Sequence, residues 1–148
     1  MLHLIVKMSE TNNNIETLLA FDVGLKRTGV ASGQTQTKTA QVAGLLHVKN
    51  GKFDWLEVDK LILKWEPNRI IIGDPKTDDP HLNKAINRLK SYIQQNHKLP
   101  IIDVDETLSS VTANNELTKS KLNVDRKIEL RDQLAACLIL ETYFSSLS

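Results

Sequence analysis

Leu18-Leu19-Ala20-Phe21-Asp22-Val23-Gly24, followed by Leu25-Lys26-Arg27-Thr28 and Gly29-Val30-Ala31-Ser32-Gly33, is the stretch whose reading decides the fold. The first run is short and apolar up to its acid, and Gly24 ends it, so it predicts a buried strand over Leu18–Asp22. The turn through Leu25-Lys26-Arg27 then leads into a second strand, Gly29–Gly33, antiparallel to the first. A third strand is expected near Val42–Val48, and Asn50-Gly51 is turn chemistry that closes the meander.

Beyond Phe53 the period changes. Trp55, Val58, Ile62 and Trp65 recur at three and four residues and predict a helix over Phe53–Trp65, ended by Pro67. Arg69–Gly73 is a β-branched run and reads as a buried strand. Asp78-Asp79-Pro80 reads as a helix entry, and Leu82, Ile86, Leu89 and Ile93 form the apolar stripe of the helix behind it. Pro100–Val104 is the last expected strand. Ser109 or Ser110 can cap a helix towards Leu117, Lys119–Arg126 is a polar, basic connection, and a final helix runs from Ile128 to Tyr143. An antiparallel meander followed by right-handed crossovers gives an α/β fold. Its expected form is a mixed five-stranded sheet, a three-stranded meander plus two parallel strands, flanked by helices. Residues 1–17 read as a flexible lead-in, within which Met8 is a candidate native start, and 18–148 as one domain.

The chain has 148 residues with 41% hydrophobic and 25% charged, the balance of a globular domain rather than a disordered chain. Its net charge of +1 provides no global basic field, so affinity for nucleic acid has to come from local charge. Cys137 is the single cysteine, so no internal disulfide forms, which suits a reducing cytosol; it reads as a small buried residue. Neither a signal peptide nor a membrane span is expected.

Three acids stand out. Asp22 ends an apolar run, where an ionised carboxylate needs a partner or a metal. Taken alone it is also a common strand-end acid that starts a turn. Glu106 follows Ile102 and Val104 at the end of the last strand, the end where sites gather in sheets with parallel strands. Its bland alternative is a solvated acidic loop. Asp132 lies on the final helix, with Ala135, Ala136, Ile139 and Tyr143 on the same face, so small residues let that helix approach the sheet. Its bland alternative is an exposed acid paired with Arg131 or Arg126. Carboxylates from two strand ends and one helix suit hard divalent cations, which can clamp both oxygens of a phosphodiester under attack. Lys26, Arg27, Lys119, Lys121, Arg126 and Arg131 flank these acids and are candidate contacts to a phosphate backbone.

Asp22-Val-Gly-Leu-Lys-Arg-Thr-Gly29-Val30-Ala31 closely resembles the opening motif of the YqgF (RuvX) family. Val104-Asp105-Glu106-Thr107-Leu108-Ser109-Ser110 looks like its second motif, and Asp132-Gln-Leu-Ala-Ala-Cys-Leu-Ile-Leu140 like its closing helix. Ile71-Ile72-Gly73-Asp74-Pro75 falls where the family has a Gly-Leu-Pro loop. The resemblance covers the chain from Leu18 onward. It implies a ribonuclease H-like fold and a Mg²⁺- or Mn²⁺-dependent nuclease in the bacterial cytoplasm. The implied substrate is the 5′ end of the precursor of small-subunit ribosomal RNA. Resolution of branched DNA, or nucleic-acid binding without catalysis, is the alternative, with the chain acting as a monomer or homodimer. Matched by position, Asp22, Glu106 and Asp132 form the acidic triad. Two departures matter. Thr107 stands where the family has Arg, and Asp74 adds a carboxylate that competes with Glu106 for the second ligand position. Asp-x-Gly with Thr and Gly behind it also resembles the phosphate loop of sugar kinases and actin-like ATPases, which need two such domains around a nucleotide.

Overall fold

The structure is a computed structural model and describes residues 15–106 and 124–147, with side chains in the last helix from 127. Three strands form the meander: β1 (Thr17–Asp22), β2 (Arg27–Gln34) and β3 (Thr39–Lys49). Asn50 and Gly51 both take positive φ, 54° and 72°, the two-residue hairpin turn that this dipeptide favours. The hairpin folds β4 (Lys52–Phe53) back on β3, pairing Val48 with Phe53. Helix α1 (Trp55–Trp65), β5 (Arg69–Asp74), α2 (Pro80–Asn96), β6 (Ile101–Asp105) and α3 (Val124–Ser146) complete the described elements.

The sheet therefore has six strands, ordered β4-β3-β2-β1-β5-β6, rather than the five expected. The difference is β4: Phe53 belongs to the hairpin, and the helix starts after Asp54, whose side chain caps Leu56 N at 3.1 Å. β1 lies antiparallel to β2 and parallel to β5, and β6 is parallel to β5, as the crossover rule required. The last helix begins at Val124, so residues 124–126 are helical and not part of a connection. The helix expected between Ser109 and Leu117, together with Lys119 and Lys121, lies outside the described residues.

Strand alternation splits the core in two. Leu19, Phe21, Ile70 and Ile72 pack beneath α1 and α2, against Val58, Ile62, Leu89 and Ile93. Leu18, Ala20, Ala31, Ile71 and Val104 face the other way, against Ala136, Ile139, Leu140 and Phe144 of α3. Cys137 is buried there, and burial pushes its thiol up to about 11, which leaves it an inert packing group. No helix among the described residues is long and apolar enough to cross a membrane.

One polar cluster ties α1 to the end of α2. Tyr92 donates its hydroxyl to Asp59 at 2.9 Å, and His97 Nε2 lies 2.7 Å from Asp59 Oδ1. His97, then Tyr92, holds the Asp59 carboxyl below its ordinary range against a smaller opposing effect of burial. A lowered carboxyl stabilises the fold above about pH 4 and loses that contribution as pH falls through its folded value. Asp59→Asn should therefore lower the melting temperature at pH 7 by an amount that shrinks on acidification. The pair is partly exposed, so the effect is about 1 kcal/mol or less. A wild-type minus variant difference that stays constant from pH 7 to pH 2.5 would contradict it.

Candidate active site

Asp22 closes β1 on the α3 face, in register with Leu18 and Ala20. Glu106 follows β6 directly, and its backbone N–H donates to Asp74 O at 3.2 Å. It continues the α3-facing parity of Val104 and is 7% exposed. Asp22 keeps some contact with solvent yet is densely surrounded by protein. The two carboxyl groups are in hydrogen-bonding contact. Ionised carboxylates only accept, so this contact requires a proton or a cation. Burial first, then Glu106 and Asp132, push Asp22 well above the usual carboxylate range, with Arg131 opposing. Burial also raises Glu106, with Asp74 and Asp105 adding to it, while the bond from Asp22 pulls it down. Both carboxyls are thus pushed upward, so the pair holds a proton well above the ordinary carboxylate range. Glu106 Oε2 is buried and meets no hydrogen-bond donor among the described residues.

Gly73 makes room for this pair. A Cβ there would lie 2.6 Å from Ile139 Cδ1 and 3.2 Å from Glu106 Cδ, so the Glu106 carboxyl occupies the space a side chain would take. Gly29 has the same role one element over. A Cβ on it would run into the backbone of Asp132, with Gln133 N at 3.0 Å. Helix α3 thus lies directly on β2 at the level of Asp132. The expected small residues of the helix, Ala135 and Ala136, are buried as well, at 3% and 0% exposure. The decisive small residue nevertheless belongs to the strand, a role that periodicity on the helix could not reveal.

Asp132 is held by cations. Arg27 Nε donates to its Oδ2 at 2.8 Å, and Arg131 Nη2 lies 3.7 Å from its Oδ1. Both basic residues thus contact an acid of the site, while Lys26 stays exposed in the β1–β2 turn. Among the described residues no three His, Cys, Asp or Glu side chains form a ready-made metal cage. The structure brings Asp22 and Glu106 together and keeps Asp132 nearby, tied to Arg27. Asp74 is turned away: it has the parity of Ile70 and Ile72, and pairs with Lys76 through its backbone N–H at 3.0 Å and its ammonium at 3.3 Å. Lys76, by those bonds, lowers the Asp74 carboxyl, the opposite of what befalls Asp22. The Arg126 side chain lies outside the described ones.

The Arg27–Asp132 pair is mostly buried, at 27% and 16% side-chain exposure. Arg27→Met should cost the metal-free protein about 1–2 kcal/mol, a hydrogen bond to a charged group less its solvent screening. For a chain of this size that is roughly a 2–8 °C fall in melting temperature. An unchanged melting curve would show that Arg131 alone suffices.

Comparison with known proteins agrees with this architecture. The chain is 36% identical over 133 residues to a Francisella tularensis subsp. novicida protein named "Putative pre-16S rRNA nuclease", covering 88% of this chain and 97% of that one. A second relative of the same name, from F. tularensis subsp. tularensis, is 35% identical with the same coverage. Among solved structures, the fowlpox virus resolvase with its Holliday junction DNA superposes with a TM-score of 0.58 at 17% identity, over 88% of this chain and 98% of that one. T. thermophilus RuvC with its junction substrate gives 0.50 at 11% identity, over 86% and 94%. These structural likenesses establish a ribonuclease H-like fold. The family model described as "RuvX: Holliday junction resolvase" matches residues 16–146, and with it the sheet order, the paired acids and the closing helix fall into one frame: the chain belongs to the RuvX family.

Proposed function

We propose that this protein is a metal-dependent phosphodiester hydrolase that processes the 5′ end of precursor 16S ribosomal RNA in the bacterial cytoplasm. The observation that carries the proposal is the buried Asp22–Glu106 pair, with Glu106 Oε2 left without a donor among the described residues. Two acids driven together under α3 are costly to keep unless something positive joins them. The donor set is all oxygen and suits Mg²⁺ or Mn²⁺. Asp22 and Glu106 would hold the cation, and Asp132 would join them by exchanging Arg27 for it. When bound, such ions supply positive charge against the phosphate and an activated water, one or two of them sharing the task.

The protein's own groups do the rest. A bound cation would displace the proton held by the Asp22–Glu106 pair, so cation affinity would fall as the solution is acidified. Were Asp132 to join the cation, Arg27 and Arg131, which now pair with it, would be free to contact a phosphate oxygen. Gly29 and Gly73 set how closely α3 and the Glu106 carboxyl lie over the sheet. The names of the relatives support ribosomal precursor RNA as the substrate. The family description supports branched DNA as the second reading.

A cleavage panel separates the readings. Purified protein is incubated with precursor 16S RNA, single-stranded RNA and a four-way DNA junction, with Mg²⁺, Mn²⁺ or chelator. Cutting of the precursor near its 5′ boundary, abolished by chelator, is expected. Symmetric cutting of the junction alone would favour resolution, which needs two sites in a dimer. Binding of RNA without turnover under every metal condition would make the protein a non-catalytic binder.

A further inference from the structure

Two grooves adjoin on the α1/α2 side of the molecule. One, of about 610 Å³, is rimmed by Lys26, Lys49, Lys84 and Arg88. The other, of about 660 Å³, shares Lys84 and Arg88 and continues along α2 past Asn87 and Gln95, with Trp55 and Tyr92 as its wall. Neither is lined by an Asp or a Glu. The chain as a whole has 19 Lys and Arg against 18 Asp and Glu, so four cations without an acid are a local separation of charge. Lys26, Lys49 and Lys84 are exposed and make no ion pair among the described residues. Arg88 is anchored by donating to Gly51 O at 3.2 Å.

Position strengthens the pattern. Lys26 stands in the turn four residues after Asp22, and its carbonyl accepts from Val48 N at 2.8 Å, fixing that turn to the β3 hairpin. The N-terminus of α2 follows β5, whose carboxyl end lies beside that of the parallel β1. The grooves thus start beyond the carboxyl end of the central strand β1, which Asp22 closes, and run away from it over the face opposite α3. Trp55 is stacked between Tyr92, at 4.1 Å and 11°, and Phe53, at 5.4 Å, so the wall that Trp55 and Tyr92 present beside the amides of α2 is one of ring edges.

We propose that these grooves form one docking track for an unpaired RNA strand that leads to the Asp22 site. Lys26, Lys49, Lys84 and Arg88 hold successive phosphates, and bases lie against the Trp55–Tyr92 wall within reach of Asn87 and Gln95. Cations along a backbone and side-chain amides for base edges are what an unpaired strand suits, because a duplex pairs those edges with each other. The assignment rests on the nuclease reading for the identity of its ligand, and its test avoids catalysis.

Binding of a fluorescent 12-nucleotide single-stranded RNA to the full chain is measured by anisotropy in chelator, across a salt series. Lys49→Glu/Lys84→Glu is compared with Lys38→Glu/Lys98→Glu, which alters the net charge equally at exposed positions outside the grooves. The groove variant should bind at least about tenfold more weakly than wild type. Its salt slope should be shallower by about 1.4, from two lost contacts to a single strand. The control should stay within about threefold of wild type. Equal losses in both variants, no loss in the groove variant, tighter binding of duplex RNA, or tighter binding of DNA of the same sequence each overturns the track. The outcome is independent of Asp22: a protein that cuts nothing but passes this test retains the track, and one that cuts normally but fails it loses the track alone.

Discussion

Asp22→Asn is expected to abolish cutting and at the same time to make the metal-free protein more stable. The first effect follows from the proposed role: removing a carboxylate that holds the cation forfeits several kcal/mol of transition-state stabilisation, so the rate falls by about 10³-fold or more. The second follows from the geometry. Asp22 is pressed against Glu106 under α3, and burial and that neighbour raise its carboxyl. An acid raised on folding stabilises the protein fully below its unfolded value of about 4. It loses that contribution as pH rises through the folded value. At pH 8 without metal the wild type therefore bears a strained pair. Asn donates an N–H to Glu106 without needing a proton, so the variant should gain roughly 1–2 kcal/mol there and nothing at pH 3. Added Mg²⁺ should reverse the order. At a hundred times its dissociation constant it stabilises the wild type by about 2.7 kcal/mol and the variant far less. Melting curves at pH 3 and pH 8, with and without Mg²⁺, read all of this. A variant less stable than wild type at pH 8 in chelator would show that Asp22 has another partner. A variant that cuts like wild type would remove Asp22 from the site.

The second large effect is expected at a residue with no side chain. Gly29→Ala places a methyl group where the backbone of Asp132 lies. Backbone in mid-helix cannot turn aside as a side-chain tip can, so either α3 lifts from β2 or the strand bends. Overpacking of this kind costs about 3 kcal/mol, roughly 6–12 °C in melting temperature for a chain of this length. Lifting α3 also draws Asp132 from Arg27 and loosens Ala136 and Ile139 over the sheet. Cutting should fall with stability, and at 15 °C, where the variant is still folded, it should remain low. Gly44→Ala is the comparison: its Cβ would meet only the side-chain tip of Leu61, at 3.2 Å, so it should be nearly silent. Equal melting temperatures for the two variants would contradict the close approach at Gly29.

Much of the fold was legible because its signals are local. The continuous apolar runs buried in β1, β2 and β5, the period-3.6 burial in α1 and α2, and the Asn50-Gly51 turn all arise from side chains within a few residues of one another. The extra strand β4 was not legible. Phe53 is apolar and stands two residues before the helical stripe that begins at Trp55, so it reads as the start of that helix, and only its pairing with Val48 makes it a strand residue. The third helix was likewise read short at its start, where a polar, basic segment has no stripe to mark it.

The candidate site divides in the same way. The sequence by itself singled out three candidate acids and their order, because Asp22, Glu106 and Asp132 each end or ride an element with its own apolar signature. It also left Asp74 as a rival to Glu106. Only the tertiary structure decided how these acids stand to one another. One step of strand parity separates Gly73 from Asp74, and that step sends Asp74 to Lys76 on the α1/α2 side while Glu106 settles over Gly73 beside Asp22. Parity is written in the chain, but which face α3 covers depends on a helix some fifty residues further on. The approach that brings Asp132 near Asp22, and the partner that holds it, come from Gly29 and Arg27 of β2, about a hundred residues away along the chain. Contacts at that separation leave no periodic trace in a sequence, and they are what brings three ordinary acids into one neighbourhood.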